Sequence, residues 1–309
     1  MTEPMIKQHK EGFQPGAWAV DALFRALIGA AAWLPYERRV RVGGWVFSHL
    51  IAPIAGHRRR IRANLALIWP DMPVSQVRHL CRAVPDNIGR NLIELYSPAD
   101  LFARAVAAPV TGAGMTALNA AHAAGRPVIL VSGHFGNFNV WRAALGARGI
   151  GQAALYRPMN NRYFDAHYVS AMGRIAKPMF ARNTRGLAAM LRHLRRGGVL
   201  SMLVDQRMGS GRPLRFFGHR AYTALSAAQM ALKFDALLIP VYAVRQENGI
   251  DFKVLVESPV PHTTPEEMMQ ALNDSLEAMV RGHMDQWFWI HRRWARPRRH
   301  RTPGKSAGG

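Results

Sequence analysis

PVILVSGHFGNFN, residues 127–139, joins two kinds of sequence. Its first six residues are a short, continuous apolar run rich in branched side chains, which predicts a strand buried on both faces. Its last seven hold one histidine between two glycines and end where a helix begins, with Asn137 as the predicted N-cap. The pattern recurs outward. Ala153–Tyr156 and Val199–Val204 are further short apolar runs, and helical periodicity covers 117–124, 137–148 and 184–196, the last capped by Thr184 and stopped by Gly197. Residues 223–235 read as a helix. Leu237–Arg245 and Phe252–Glu257 read as strands joined by a turn at Asn248-Gly249. Thr264-Pro265-Glu266-Glu267 opens a last helix with cap, N1 proline and first-turn acids in place.

Strands alternating with helices predict an α/β fold, a mainly parallel central sheet flanked by helices. Such sheets bind ligands beyond the carboxyl ends of their strands. There the sequence puts Gly133-His134 after the first run, Arg157-Pro158 after the second and Asp205-Gln206 after the third. If those strands are neighbours, a His, an Arg and an Asp converge. A histidine in a glycine-rich turn, beside the free N–H groups of a helix start, suits a general base next to an anion or oxyanion.

Residues 1–105 are different in kind. From 17 to about 100 they read as helical, punctuated by Pro35, Pro53, Pro70 and Pro85. Ala17–Leu34 is apolar apart from Asp21 and Arg25, which stand four apart and can pair on one helix face. This segment is either a single membrane anchor or an amphipathic helix lying at the interface. The basic residues after it (Arg38, Arg39, Arg41, then Arg58, Arg59, Arg60 and Arg62) suit anionic headgroups. The expected organisation is a helical, membrane-associating region over 1–105, an α/β domain over 106–298 and a basic tail over 299–309. No cleavable signal peptide is read at the start.

The chain has 309 residues, 49% of them hydrophobic, and a net charge of +22. A charge of that size points to an anionic partner. No helix-turn-helix, zinc-finger or RNP-like segment accompanies it, so nucleic acid is not expected. The lone cysteine, Cys81, excludes an internal disulfide and a cysteine-based zinc site. GSGR (209–212) lacks the end of a P-loop. Ser132 is outside any GxSxG elbow. His291 and the Trp287-Phe288-Trp289 cluster can either pack or reach the site.

The segment around His134 resembles the HX4D/E box of the lysophospholipid acyltransferase superfamily, and the wider context is similar to its lipid A biosynthesis (late) acyltransferase branch. The resemblance rests on RRRIRANLALIWPDMP (58–73), GRPVILVSGHFGNF (125–138), LYRPMNN (155–161), VDQRMGSGRPLRFFG (204–218) and DQWFWIHRRW (285–294), in that order. It implies transfer of a fatty acyl chain from acyl carrier protein to a hydroxyl of a lipid A precursor, at the cytoplasmic face of the inner membrane, without metal or organic cofactor. His134 would be the base, Arg157 would hold a phosphate or the developing oxyanion, and Asp205 would organise the site. Gly136, Asn137, Tyr156, Asn160, Gln206 and Arg292 are the candidates for contacting substrate. One position departs from the box: where its acid belongs, five residues after His134, stands Asn139. An amide can fix a tautomer but supplies no charge, so either turnover is impaired or another acid, Asp165 or Asp205, takes the role.

Overall fold

The computed structural model describes residues 13–159 and 161–295. The expected tail over 299–309 and the candidate Asn160 lie outside them. The described residues open with α1 (Pro15–Ala31), α2 (Tyr36–Val46), a π-helical turn (Phe47–Ile51), α3 (Ala52–Ile54), α4 (His57–Ile68), α5 (Val74–Leu95) and α6 (Pro98–Ala107). The alternating part follows as β1 (Val110–Thr111), α7 (Met115–Ala123), β2 (Val128–Ser132), α8 (Phe138–Gly146), β3 (Gln152–Tyr156), α9 (Arg162–Ile175), β4 (Met179–Ala181), α10 (Thr184–Arg195) and β5 (Val199–Leu203). A hairpin of β6 (Arg212–Phe216) and β7 (His219–Thr223) leads to α11 (Ser226–Phe234), β8 (Leu237–Arg245), β9 (Phe252–Val256), α12 (Pro265–Gly282) and a 3-10 turn (Met284–Gln286).

The strand order is β1-β9-β8-β2-β5-β3-β4, with β6 and β7 paired apart from it. From β8 through β4 every pairing is parallel. β9 turns back antiparallel on β8, at the predicted Asn-Gly turn, and β1 lies parallel to β9. β2 sits at the centre with all five residues buried. Its alternate side chains divide two cores: Val128 and Leu130 pack with α8, while Ile129 and Val131 pack with α10, α11 and α12.

A third cluster joins Ile61, Leu65, Leu80 and Val84 of α4 and α5 to Phe135, Tyr242, Leu276, Trp287 and Trp289. Residues on both sides of 105 thus share one core, and the predominantly helical region forms a wall of the fold. Among the described residues no helix is long and apolar enough to cross a membrane. Helix α1 has 17 residues, and its Asp21 carboxylate pairs with Arg25 at 2.9 Å, as their spacing predicts. Asp21 also takes a 2.6 Å hydrogen bond from His167 of α9, which seats α1 on the domain.

Three local expectations change. The cap of α10 is Asn183, whose side chain accepts from the Gly186 amide at 2.8 Å, and Thr184 is the first helical residue. The helix expected over 223–235 covers only Ser226–Phe234, because Thr223 closes the β6–β7 hairpin and its hydroxyl accepts from the buried Arg293 at 2.7 Å. That hairpin was not expected: its arginines face outward and obscure the strand alternation. The predicted caps Asn137 and Thr264 are both present, Thr264 within a full capping box.

Candidate active site

Parallel pairing of β2 with β5 puts Ser132 opposite Leu203. Two residues further, His134 and Asp205 leave the sheet side by side. One Asp205 oxygen lies 2.7 Å from His134 Nδ1. The other accepts from the His134 backbone N–H at 2.8 Å and from the Trp287 indole at 2.9 Å. A carboxylate only accepts, so Nδ1 carries the imidazole proton and Nε2 keeps its lone pair. Gln206 faces that lone pair, with its amide nitrogen 3.3 Å from Nε2. The His134 side chain is about a quarter exposed, whereas Asp205 has no exposure. Burial alone would raise the Asp205 carboxyl pKa. The His134 charge and hydrogen bonds, with a smaller contribution from His291, outweigh burial and hold it well below the usual carboxylate range.

The loop carrying His134 is fixed by steric and polar contacts. At Gly133 a Cβ would come within 2.8 Å of the Leu276 methyls and 3.1 Å of an Asp205 oxygen, so a larger residue would have to displace the Leu276 side chain. Gly136 has φ +52°, and a Cβ on it would fall 1.8 Å from the Ala243 carbonyl oxygen of β8. Its N–H donates to Gln286 O at 2.8 Å and its carbonyl accepts from the Asn91 side chain at 2.6 Å. Asn137 is fully buried: its oxygen accepts from the Asn139 amide at 3.0 Å and its nitrogen donates to Glu94 at 2.7 Å. Glu94 in turn holds the Arg245 guanidinium, which also donates to Asn87 and Asn91. Gly136 and Asn137, candidates for touching substrate, therefore spend these polar groups on holding the loop.

The remaining candidates divide by place. Asn139 is buried on α8, makes no hydrogen bond to His134, and leaves its side-chain oxygen without a partner among the described residues. Asp165 accepts from the Met159 amide at 2.8 Å and so braces the loop after β3. Tyr156 ends β3 and Arg157 follows it, and β3 pairs with β5 on the side away from β2. The three strands that bear His134, Asp205 and Arg157 are thus consecutive in the sheet, about 4.8 Å apart. Arg157 is exposed there, and Arg292 is exposed in the C-terminal segment.

The C-terminal segment is the part of the site that local sequence signals did not specify. Phe135 forms a β-bridge with Trp287, and the Phe288 amide donates to His134 O at 3.1 Å. This brings the rings of Phe288 and His291 to 5.7 and 5.3 Å from the His134 ring, opposite Phe138 at 6.0 Å. From α4, Asn64 holds the carbonyls of Trp289 and His291 at 2.6 and 2.9 Å, and Arg60 holds that of Ile290 at 3.1 Å. Two blocks more than 200 residues apart, RRRIRAN and WIHRRW, meet at these bonds. Among the described residues no group of His, Cys, Asp or Glu could hold a metal ion.

A family model for bacterial lipid A biosynthesis acyltransferases matches residues 6–296. The chain belongs to that family. A lipid A biosynthesis acyltransferase of Haemophilus influenzae is 24% identical over 295 residues, which is 89% of this chain and 92% of the relative. A phosphatidylinositol mannoside acyltransferase of Mycobacterium tuberculosis is 22% identical over 247 residues, 77% of this chain and 78% of the relative. The family match makes the chain an acyltransferase. Its departure at Asn139 has a structural counterpart, because the carboxylate bonded to the imidazole is Asp205.

Proposed function

We propose that the chain transfers a fatty acyl group from acyl carrier protein to a hydroxyl of a lipid A precursor, with His134 as general base. The observation that carries this reading is the 2.7 Å bond from His134 Nδ1 to the buried Asp205, which leaves Nε2 facing outward with a lone pair. Nε2 takes the proton of the acceptor hydroxyl as its oxygen attacks the thioester carbonyl carbon. Asp205 stabilises the imidazolium that forms. The C–S bond then breaks, the new ester remains, and the carrier thiolate takes its proton from His134. Arg157, one strand beyond Asp205, holds a phosphate or the developing oxyanion through its fixed fork of donors. Gln206 and Arg292 contact substrate. No metal or organic cofactor enters this chemistry.

The setting is the cytoplasmic face of the inner membrane. Helices α1 to α3 and their junctions expose Leu23, Leu27, Trp33, Trp45, Leu50, Ile51 and Ile54, with Trp33 91% and Ile54 89% exposed. Arg38, Arg41, Arg59 and Arg62 are exposed among them. Apolar side chains ringed by arginine suit a helix pair lying in the interface of an anionic bilayer. The +22 charge equally suits the acidic carrier protein.

The mycobacterial relative motivates a second reading, in which the acceptor is another glycolipid or a glycerolipid. Purified protein with acyl carrier thioester and a panel of acceptors separates the two. Preference for the lipid A precursor, abolished in His134→Ala, is the expected result. Transfer to a different acceptor with none to the precursor would replace the first reading by the second.

A further inference from the structure

We propose that an arginine stripe on α10 docks the acidic acyl carrier protein and so delivers its thioester to His134. This docking site rests on the acyl-transfer reading above. Residues 166–204 carry seven Lys or Arg and no Asp or Glu. They include most of α9, the edge strand β4 and all of α10. On α10, Arg185 and Arg192 lie two helical turns apart, and Arg196, its C-cap, follows one turn later, so all three share a face. That face is exposed and lies opposite the buried Met190 and Leu194. Arg182 extends the row at the corner before the helix and is exposed too. Among the described residues none of these guanidinium groups has an ion pair or hydrogen bond. On other surfaces the chain's own acids meet Arg39, Arg90, Arg104 and Arg281. A row of like charges without counter-charge raises the local potential and draws an anionic partner.

The row leads to the catalytic edge of the sheet. Register puts Tyr156 of β3 beside Ala181 of β4, and the Arg182 amide donates to Tyr156 O at 2.8 Å. Arg182 therefore leaves the sheet next to Arg157, at the carboxyl edge that also carries His134. From β4 to β2 is three strand steps, about 14 Å. A thioester on an extended prosthetic arm crosses such a gap while the protein bearing it stays outside. The side of the sheet favours a soluble partner over the bilayer. Helix α10 packs on the Ile129 and Val131 face of β2 through Met190 and Leu194. Helix α9 packs with α8 on the opposite face and holds the apolar α1 through the His167–Asp21 bond. The arginine stripe and α1 thus occupy opposite faces of the sheet, which gives the donor protein and the acceptor lipid separate approaches.

The test uses the full-length protein in detergent with lipid A precursor, and varies the concentration of acyl carrier thioester. It compares wild type with the double variant Arg185→Glu, Arg192→Glu. The control is Arg215→Glu, Arg220→Glu, a matched charge reversal at an exposed cross-strand pair of the β6–β7 hairpin. The α10 variant should raise KM for the carrier thioester about 10-fold at low salt, with kcat within about twofold, and added salt should shrink the difference. Glutamine at the same two positions should give an intermediate rise. Both α10 variants should melt close to the wild type and float with phosphatidylglycerol vesicles as it does. The hairpin control should shift KM less than about threefold. A KM within about twofold of wild type in the α10 glutamate variant overturns the docking site and leaves the acyl-transfer reading standing. An equal rise in the hairpin control also overturns it, because the effect would then be one of net charge. A fall in kcat without a rise in KM overturns it as well, and lost flotation with unchanged KM assigns the stripe to the bilayer instead. If the wild type transfers no acyl group from the carrier, the underlying reading fails and takes the docking site with it.

Discussion

Asp205→Asn tests the site at its most constrained point. The carboxylate faces three donors: His134 Nδ1–H, the His134 backbone N–H and the Trp287 indole N–H, at 2.7, 2.8 and 2.9 Å. An amide has one oxygen, so either orientation sets an NH2 against a donor. If the NH2 faces Nδ1, the imidazole adopts the other tautomer, Nε2 acquires the proton, and the base is lost. If it faces the backbone and indole, Nδ1 keeps its proton but the imidazolium loses its counter-charge, and two donors are orphaned. The same change in the serine-protease triad leaves geometry intact and costs about 10⁴ in kcat. Here kcat should fall about 1,000- to 10,000-fold, equivalent to roughly 4–5.5 kcal/mol of transition-state stabilisation. Stability should drop by about 1–3 kcal/mol for the unsatisfied donors. The assay is initial-rate acyl transfer at saturating thioester, with a denaturant melt on the same sample. A folded variant that keeps more than about a tenth of wild-type kcat would refute the assignment of Asp205 as the imidazole's partner. The pH dependence has a definite sign. The folded Asp205 pKa lies below its unfolded value of about 3.9, so its contribution is complete above that pH. It is lost as pH falls toward the folded pKa, and Asp205→Asn should flatten the acid limb of stability.

Asn139→Asp should leave kcat within about threefold of wild type, because the imidazole already holds a carboxylate. The new acid would stand one helical turn before Arg142, whose Nε and Nη1 are buried without partners among the described residues. A hundredfold change in either direction, by the same rate assay, would make residue 139 the direct partner of His134. Glu94→Gln leaves the buried Arg245 without its counter-charge and should cost about 3–5 kcal/mol in a denaturant melt; a change under 1 kcal/mol would mean that about the full charge penalty is relieved by the asparagines alone. Trp33→Ser with Ile54→Ser should weaken flotation with anionic vesicles while leaving transfer to detergent-solubilised acceptor intact, and undiminished flotation would remove these helices from the membrane face.

The β-α alternation was legible because strands buried on both faces are short apolar runs with sharp ends, and because ligands gather at those ends. That logic placed His134, Asp205 and Arg157 at the ends of neighbouring strands. It did not say which acid bonds the histidine. Counting along the box directed attention to Asn139, five residues away, whereas the bonded acid is 71 residues away and meets His134 through strand register. The roles of Trp287 and of the Glu94–Arg245 pair were hidden for the same reason: each depends on elements that meet only in the folded chain. Gly136 was visible as a glycine, but its steric cause, the carbonyl of Ala243 in β8, lies 107 residues further along the chain. The hairpin over 212–223 was obscured by outward arginines that break the apolar alternation by which strands are read.

The central claim is that His134, held by Asp205, transfers an acyl chain to a lipid A precursor. Mass spectrometry of lipid A tests it most directly, in a cell lacking this chain and in the same cell restored with wild type or with His134→Ala. The account predicts that wild type alone adds one acyl chain's mass to the precursor, which also names the chain. An identical mass increase with His134→Ala, or no change with a folded and expressed wild type, would contradict it.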